Sequence, residues 1–503
     1  MIFLVTLNAR YAHSSLGLRY LLANMDELAS QTQLLEYIIN LRPQDVAEKL
    51  LEHKPRIIGF GVYIWNVEET RQVVAILKQV APEIIIVLGG PEVSYETDRQ
   101  PIVELADHVV TGPGDLAFPQ LCRQLLQGGK PSKIILAELP PLAQIKLPYR
   151  YYTDEDIANR TLYVEASRGC PFKCDFCLSS LDKTAWGFDL DKFLAEMQQL
   201  YDRGARQFKF VDRTFNLNVK TSLRILEFFL ERLDERLFLH FEVIPDHLPD
   251  PLKTALARFS PGSLQLEIGV QTFSPSVQSL ISRKQDNAKT EANLNWLREH
   301  TSAHIHADLI IGLPGEDLAS FASGFDRLAK LNPQEIQVGV LKRLRGAPIA
   351  RHEQTHGLRF NTHPPYNILH TDRLDFLTVQ RLSRFARYWE LVGNSGRFKQ
   401  GRDLILGSDP FARFLSFSDW VFATTGQTYE IAQGRLFDLL FNWLTGMACE
   451  ARDIAYAALE ADFLSSGIRS IPRFLQGDID KVKPASEHST RVSTRQSRHN
   501  AHS

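Results

Sequence analysis

Three of the chain's five cysteines, Cys170, Cys174 and Cys177, fall within eight residues. They lie in Ser167-Arg168-Gly169-Cys170-Pro171-Phe172-Lys173-Cys174-Asp175-Phe176-Cys177, a C-x3-C-x2-C spacing. The loop follows directly on residues 161–166, an apolar run that reads as a strand. That run opens a series, with further candidate strands at 207–211, 237–243, 264–270, 304–311 and 335–341 and helical stretches between them. About six β/α units in a row predict a parallel barrel or partial barrel over 161–345, with function at the carboxyl ends of its strands.

A secreted disulfide framework carries more cysteines, spread along a shorter chain. Here the odd cysteine count and the tight cluster suggest metal. Cys122 and Cys449 sit in apolar helical surroundings and read as buried small hydrophobes. Three thiolates on one short loop suit three irons of a cubane [4Fe–4S] cluster. The fourth iron is then open to the amino and carboxylate groups of S-adenosylmethionine (SAM). Zinc normally takes four protein ligands, and no histidine lies within twenty residues of the loop. A zinc site and three merely structural cysteines remain the alternatives.

Residues 1–130 alternate in the same way, with candidate strands at 2–7, 35–39, 57–62, 84–88 and 108–110 and helical spacing at 16–25 and 67–80. This predicts a doubly wound, Rossmann-like parallel sheet whose ligand meets the strand-end loops 8–17, 63–66, 89–94 and 112–115. Residues 131–160 read as a linker, with Pro140, Pro141 and Pro148 and no periodicity. Aromatics and arginines recur at helical spacing over 346–475, predicting a mostly helical third domain. Residues 476–503 are polar and read as a disordered tail. A formal net charge of −2 provides no global basic field, so there is no clear nucleic-acid signal. No apolar stretch reaches the roughly 18 residues of a membrane span. The short run at 1–6 lacks a basic leader, so it reads as a first strand and the expected location is the cytoplasm.

Residues 161–345 resemble the core of radical SAM enzymes, whose signature the cysteine loop matches. The resemblance places Phe176 beside the adenine, and Gly169 frees the loop to turn away from its strand. The second strand ends in Phe210-Val211-Asp212-Arg213-Thr214-Phe215-Asn216, where the family receives the methionine amino group. The family's common Gly-Gly-Glu is absent, so Asp212 and Arg213 are expected to stand in. Glu242 closes the third strand. Glu267 and Gln271 close the fourth, where the family meets the ribose or carboxylate, and Gly312-Leu313 resembles the segment under the adenine. The implied activity is formation of a 5′-deoxyadenosyl radical, with an electron donor such as flavodoxin or ferredoxin as partner.

Preceding such a core, residues 1–130 resemble a cobalamin-binding domain. The matching features are Gly61-Val62-Tyr63-Ile64-Trp65-Asn66, Gly89-Gly90-Pro91-Glu92 and Gly112-Pro113-Gly114-Asp115. Small residues there let a corrin and its nucleotide tail approach the backbone, which makes Tyr63, Trp65, Asn66, Gly89, Gly90, Gly112 and Gly114 the expected cofactor contacts. The chain departs from the Asp-x-His-x-x-Gly pattern of histidine-ligated cobalamin, having Tyr11-Ala12-His13-Ser14-Ser15-Leu16-Gly17. His13 thus lacks an orienting carboxylate, and the cobalt face is expected to meet Tyr63, Trp65 or Asn66. The alternative is a domain that kept its fold and lost its ligand. Beyond 363–369 the chain resembles an uncharacterised helical domain attached to some cobalamin-type radical enzymes. Arg373, Arg381, Arg384 and Arg387 there follow helical spacing. They read as a solvated or interdomain face, with substrate or nucleic-acid contact as the sharper reading. The resemblance leaves the substrate unknown, and methyl transfer, rearrangement and a non-catalytic Fe–S or zinc protein stay open.

Overall fold

The computed structural model describes residues 1–476, so the expected tail, 476–503, lies outside the described residues but for its first position. The chain is a mixed α/β protein built on parallel sheets, and helices dominate its carboxyl-terminal part. It divides into two compact units.

The first unit comprises Met1–Arg213, Lys342–Ala350 and Asn361–Asn367. Its sheet is built from β1 (Ile2–Asn8), β2 (Thr32–Ile38), β3 (Ile57–Gly61), β4 (Ile85–Gly89), β5 (His108–Thr111) and β6 (Ile134–Leu136), in the order β2-β1-β3-β4-β5-β6. Every pairing is parallel. Helices cover both faces. Phe3 and Val5 pack with Val46, Leu50, Val73 and Leu77 of helices Pro43–Leu51 and Val67–Val80. Ile2 and Leu4 pack with Leu18, Phe118 and Leu121 of helices Leu16–Ala23 and Gly114–Leu126. A strand buried on both faces reads as an unbroken apolar run, which is why β1 is legible in the sequence. The order reverses at β1 and β3, and open α/β sheets bind ligands outside the carboxyl ends of strands at such a switch.

The stretch 131–160 is structured, contrary to its reading as a featureless linker. It contributes β6, paired with β5, and a capped helix Asp154–Asn159. Tyr149 and Tyr152 are buried, and their hydroxyls donate to the carbonyls of Glu165 (3.0 Å) and Tyr163 (2.7 Å). They thereby satisfy polar backbone beside strand Leu162–Val164, which pairs in parallel with Gln207–Phe210. Prolines hid this segment, because its order comes from long-range contacts.

The second unit comprises Thr214–Leu341, Arg351–Phe360 and the described residues from Ile368 onward. Strands Phe238–Val243, Leu264–Gln271, His304–Ile311 and Glu335–Val340 pair in parallel in that order, with helices such as Asn287–His300 and Leu318–Lys330 between them. Five helices follow, Phe376–Leu391, Lys399–Leu406, Pro410–Thr425, Gln433–Gly446 and Arg452–Ser465. An aromatic cluster of Phe325, Phe385, Trp389, Phe411 and Phe414 binds them to the α/β part. Trp389 Nε1 donates to the Ile336 carbonyl (2.9 Å), and Asn394 Oδ1 accepts from the Ile336 amide (2.9 Å). The arginine stripe is committed to packing. Arg381 pairs with Asp419 at 2.6 Å, Arg384 lies over Phe422, and Arg387 donates to the Thr428 carbonyl. Cys122 is buried as expected, but Cys449 is exposed. Cys449 lies beyond helix Gln433–Gly446 with φ of +54°, past the apolar spacing that suggested burial.

Candidate functional site

The cysteine loop belongs to the first unit and is held at both ends by backbone. Gly169 has φ of +94°, and a Cβ there would meet the Thr184 carbonyl oxygen and hydroxyl at 2.6 Å. Only glycine fits this turn. The Cys170 amide donates to the Asp182 carbonyl (3.1 Å), the Cys177 amide to the Cys174 carbonyl (3.1 Å), and the Ile349 amide to the Asp175 carbonyl (2.8 Å). Cys170 and Cys174 are buried and Cys177 is partly exposed. Burial pushes the Cys170 thiol up, with the Phe172 backbone opposing and the Cys177 and Cys174 thiols adding. Metal binding must draw off that proton. Among the described residues, no group of three or more His, Cys, Asp or Glu is placed to hold a single metal ion. Three thiolates on one loop of eight residues suit three corners of a cubane, which takes one thiolate at each iron.

Asp212 is buried beside this loop's entry. Its carboxylate accepts from the Ser167 hydroxyl (2.6 Å) and the Ala166 amide (3.0 Å). Burial pushes its pKa up to about 7, with Ser167 and Ala166 opposing. Arg213 is exposed, and its charge acts on Cys170. Phe176 is half-buried.

At the carboxyl ends of β3, β4 and β5 lies a cavity of about 400 Å³. Gly61, Tyr63, Gly89, Gly90, Gly112 and Gly114 line it, as do Leu18, Leu21 and Phe118. The walls are mostly apolar and much of the backbone is bare, which fits a flat cofactor with an aromatic tail. A Cβ at Gly89 would have only the Val110 carbonyl oxygen near it, at 3.8 Å, so that glycine leaves open space. Trp65 is half-exposed and stacks on Tyr63 at 4.5 Å without lining the cavity. Asn66 is fully buried, and its amide donates to the Leu7 and Gly61 carbonyls while its oxygen accepts from the Tyr63 amide. It shapes the turn that presents Tyr63. His13 is also off the cavity wall, 2.7 Å from the Tyr163 hydroxyl, and burial followed by Lys209 and Arg10 holds its pKa down.

Arg168, Glu165, Asp115 and Tyr20 line the same cavity, a set that the sequence reading did not single out. Arg168 pairs with Glu165 at 2.6 Å and with Asp115 at 3.0 Å, and lies over the Tyr20 ring at 4.9 Å. It precedes Cys170 by two residues, so one side chain joins the cavity wall to the cysteine loop. Its place inside the cysteine motif was the available signal.

The remaining expected residues lie in the second unit. Glu267 is half-buried, 2.9 Å from His240 Nε2. Gln271 has φ of +68°, and the pairing of Leu264–Gln271 with His304–Ile311 shifts register between Gly269 and Gln271. The bulge turns this strand end away from regular pairing. Gly312 has φ of +87°, and a Cβ there would strike Ile368 at 2.6 Å. Leu313 is fully buried. Glu316 follows, buried, with Oε1 accepting from the Thr272 hydroxyl (2.5 Å). Burial, partly offset by Thr272, pushes its pKa up to about 8. A raised carboxyl pKa makes the protonated form the one the fold prefers. Its stabilising effect is full below the unfolded carboxyl's ordinary range and is lost as pH rises toward 8. Glu316→Gln, neutral throughout, is expected to flatten the decline of melting temperature between about pH 5 and 8. An unchanged decline in the variant assigns the effect to other groups.

Three family models match in succession: a B12 binding domain over residues 3–122, the radical SAM superfamily over 164–328, and a protein family of unknown function, DUF4080, over 354–501. The uncharacterized methyltransferase PH0819 of Pyrococcus horikoshii is 26% identical over 331 residues, 60% of this chain and 70% of that protein. The cobalamin-dependent radical SAM methyltransferase TokK of Streptomyces tokunonensis is 24% identical, with 68% of this chain matching 55% of it. The structure of the cobalamin-dependent SAM radical enzyme OxsB, with aqua-cobalamin and SAM bound, aligns over 99% of this chain and 83% of that one, with a TM-score of 0.63 and 13% identity. The chain is thus an enzyme of the radical SAM class. Within that class it is of the cobalamin-dependent type, and its cofactors are a [4Fe–4S] cluster, SAM and cobalamin. No helix among the described residues is long and apolar enough to cross a membrane.

Proposed function

We propose that this chain methylates a substrate by cobalamin-dependent radical SAM chemistry, in the cytoplasm, with flavodoxin or ferredoxin as electron donor. The observation that carries the reading is the glycine-walled cavity joined through Arg168 to the cysteine loop within one compact unit. When bound, the cluster would supply the electron for SAM cleavage and cobalamin the methyl-carrying chemistry. The chain's residues do the rest. Cys170, Cys174 and Cys177 would hold the cluster. Asp212 fixes the loop's entry through Ala166 and Ser167. Tyr63, backed by Trp65, would present an aromatic wall to the corrin, and Gly89 would leave room for the cofactor. Within the first unit, Phe176 and Arg213 are assigned to SAM. Residues 1–130 form the cobalamin domain, 161–345 the radical core and 346–475 the helical domain.

The test is anaerobic reconstitution with iron, sulfide and hydroxocobalamin, followed by incubation with a metabolite extract and SAM labelled in its methyl group. The label is expected in a new product. Release of 5′-deoxyadenosine with no label outside SAM and methionine overturns methyl transfer and favours rearrangement.

A further inference from the structure

The second unit has a cavity of about 390 Å³ that the radical chemistry does not use. Pro261, Ser302 and Asn332 line it, from the loops that lead into strands Leu264–Gln271, His304–Ile311 and Glu335–Val340. The turn between helices Phe376–Leu391 and Lys399–Leu406 supplies Gly393, Gly396 and Phe398. The cavity therefore lies at the amino ends of the strands, whereas chemistry in β/α folds gathers at the carboxyl ends.

Arg298, Lys399 and Arg402 all line it. Arg298 projects from the last turn of helix Asn287–His300 and is partly buried. Its guanidinium forms no hydrogen bond or ion pair with another described residue, and the one charge acting on it is the like charge of Arg402. Burial first, and Arg402 second, hold its pKa below the ordinary value. Arg402 donates to Asn332 Oδ1 at 3.2 Å and reaches Asp403 at only 3.4 Å, and that carboxylate is 72% exposed. Asp462 lies near Lys399, but its oxygens accept from the Gln400 and Gly401 amides at the helix start. Two guanidiniums, Arg298 and Arg402, are thus set against one solvated carboxylate, with Lys399 on the same wall. Like charges gathered in a half-enclosed space are stabilised by a bound anion.

We propose that this cavity binds a phosphate-bearing small molecule through the forks of Arg298 and Arg402 and the ammonium of Lys399. Guanidinium forks match phosphate oxygens in pairs, and the volume falls in the roughly 300–1,000 Å³ range of small-ligand sites. The residues come from the α/β part and from the helical part, so the ligand clamps the two and acts as an effector remote from the reacting atoms.

The test uses the full chain and pyrophosphate, with ionic strength held constant by sodium chloride. Pyrophosphate is expected to raise the melting temperature saturably. Arg298→Ala combined with Arg402→Ala is expected to weaken its binding at least about tenfold by calorimetry. Arg298→Ala alone is expected to melt, without ligand, at or above the wild-type temperature, since it removes an unpaired cation from a like-charged site. A ligand-free loss of stability in that variant assigns Arg298 to structure and overturns the proposal. So does the absence of a saturable rise in wild type, an equal response in the double variant, or stabilisation by single-stranded RNA without any by pyrophosphate.

Discussion

Cys174→Ala is expected to leave a folded chain that retains almost no iron or sulfide after anaerobic reconstitution. The Cys174 thiol is buried on a loop whose path is set by Gly169 and by backbone bonds to Asp182 and Ile349, none of which needs the sulfur. Two remaining thiolates cannot hold three corners of a cubane. Cleavage of SAM should fall by at least about 10³-fold, because positioning SAM on the open iron is what makes its cleavage near-intramolecular. Circular dichroism checks the fold, and iron and sulfide analysis checks the cluster. Cys122→Ala is the contrast. Burial among Phe118, Leu121 and Leu125 pushes that thiol up to about 12, so it is inert packing, and its loss should leave the iron content intact. Full iron and sulfide in Cys174→Ala sinks the three-cysteine assignment.

Gly89→Leu is expected to lower cobalamin affinity at least about 100-fold while keeping the cluster, since it fills the cavity with a side chain and leaves no room for the ligand. Gly89 is the right position because a Cβ there has open space before it. Gly90 is a poorer probe. Its φ is +110°, and a Cβ would sit 2.5 Å from the Val62 carbonyl oxygen, so substitution there strains the backbone whatever binds. His13→Ala should leave cobalamin bound and its spectrum little changed, because His13 meets the Tyr163 hydroxyl and lies off the cavity wall. Cobalamin per chain after desalting, read beside iron content, decides the matter. Retention by Gly89→Leu together with release by His13→Ala would place the cofactor elsewhere.

The strand positions were largely legible. Strand His304–Ile311 was read to the residue, and the others within a few positions at their ends. Their β-branched runs are buried between helices, so composition and location coincide. The candidate site was legible in its glycines and cysteines, because a bare backbone or a metal-ligating thiol has few other reasons to recur at strand ends. Side chains whose purpose is contact were less legible. Asn66 looked like a cofactor contact and proves to brace the Tyr63 turn. Asp212 looked like a SAM ligand and holds Ala166 and Ser167. The arginines of Phe376–Leu391, read as a solvated or interdomain face, are spent on Asp419, Phe422 and Thr428.

By itself, the sequence determined what is set by neighbours along the chain. The C-x3-C-x2-C spacing, the strand before it and the glycine that turns it are covalent and conformational facts of one short segment. Only the tertiary structure decided which distant groups meet. Arg168 reaches Asp115, and Tyr149 and Tyr152 order a proline-rich stretch through the backbone of Glu165 and Tyr163. Arg298 comes close enough to Arg402 to feel its charge across 103 intervening positions. A polar side chain's role depends on the partner that packing brings within about 3 Å, and local spacing carries no record of that partner.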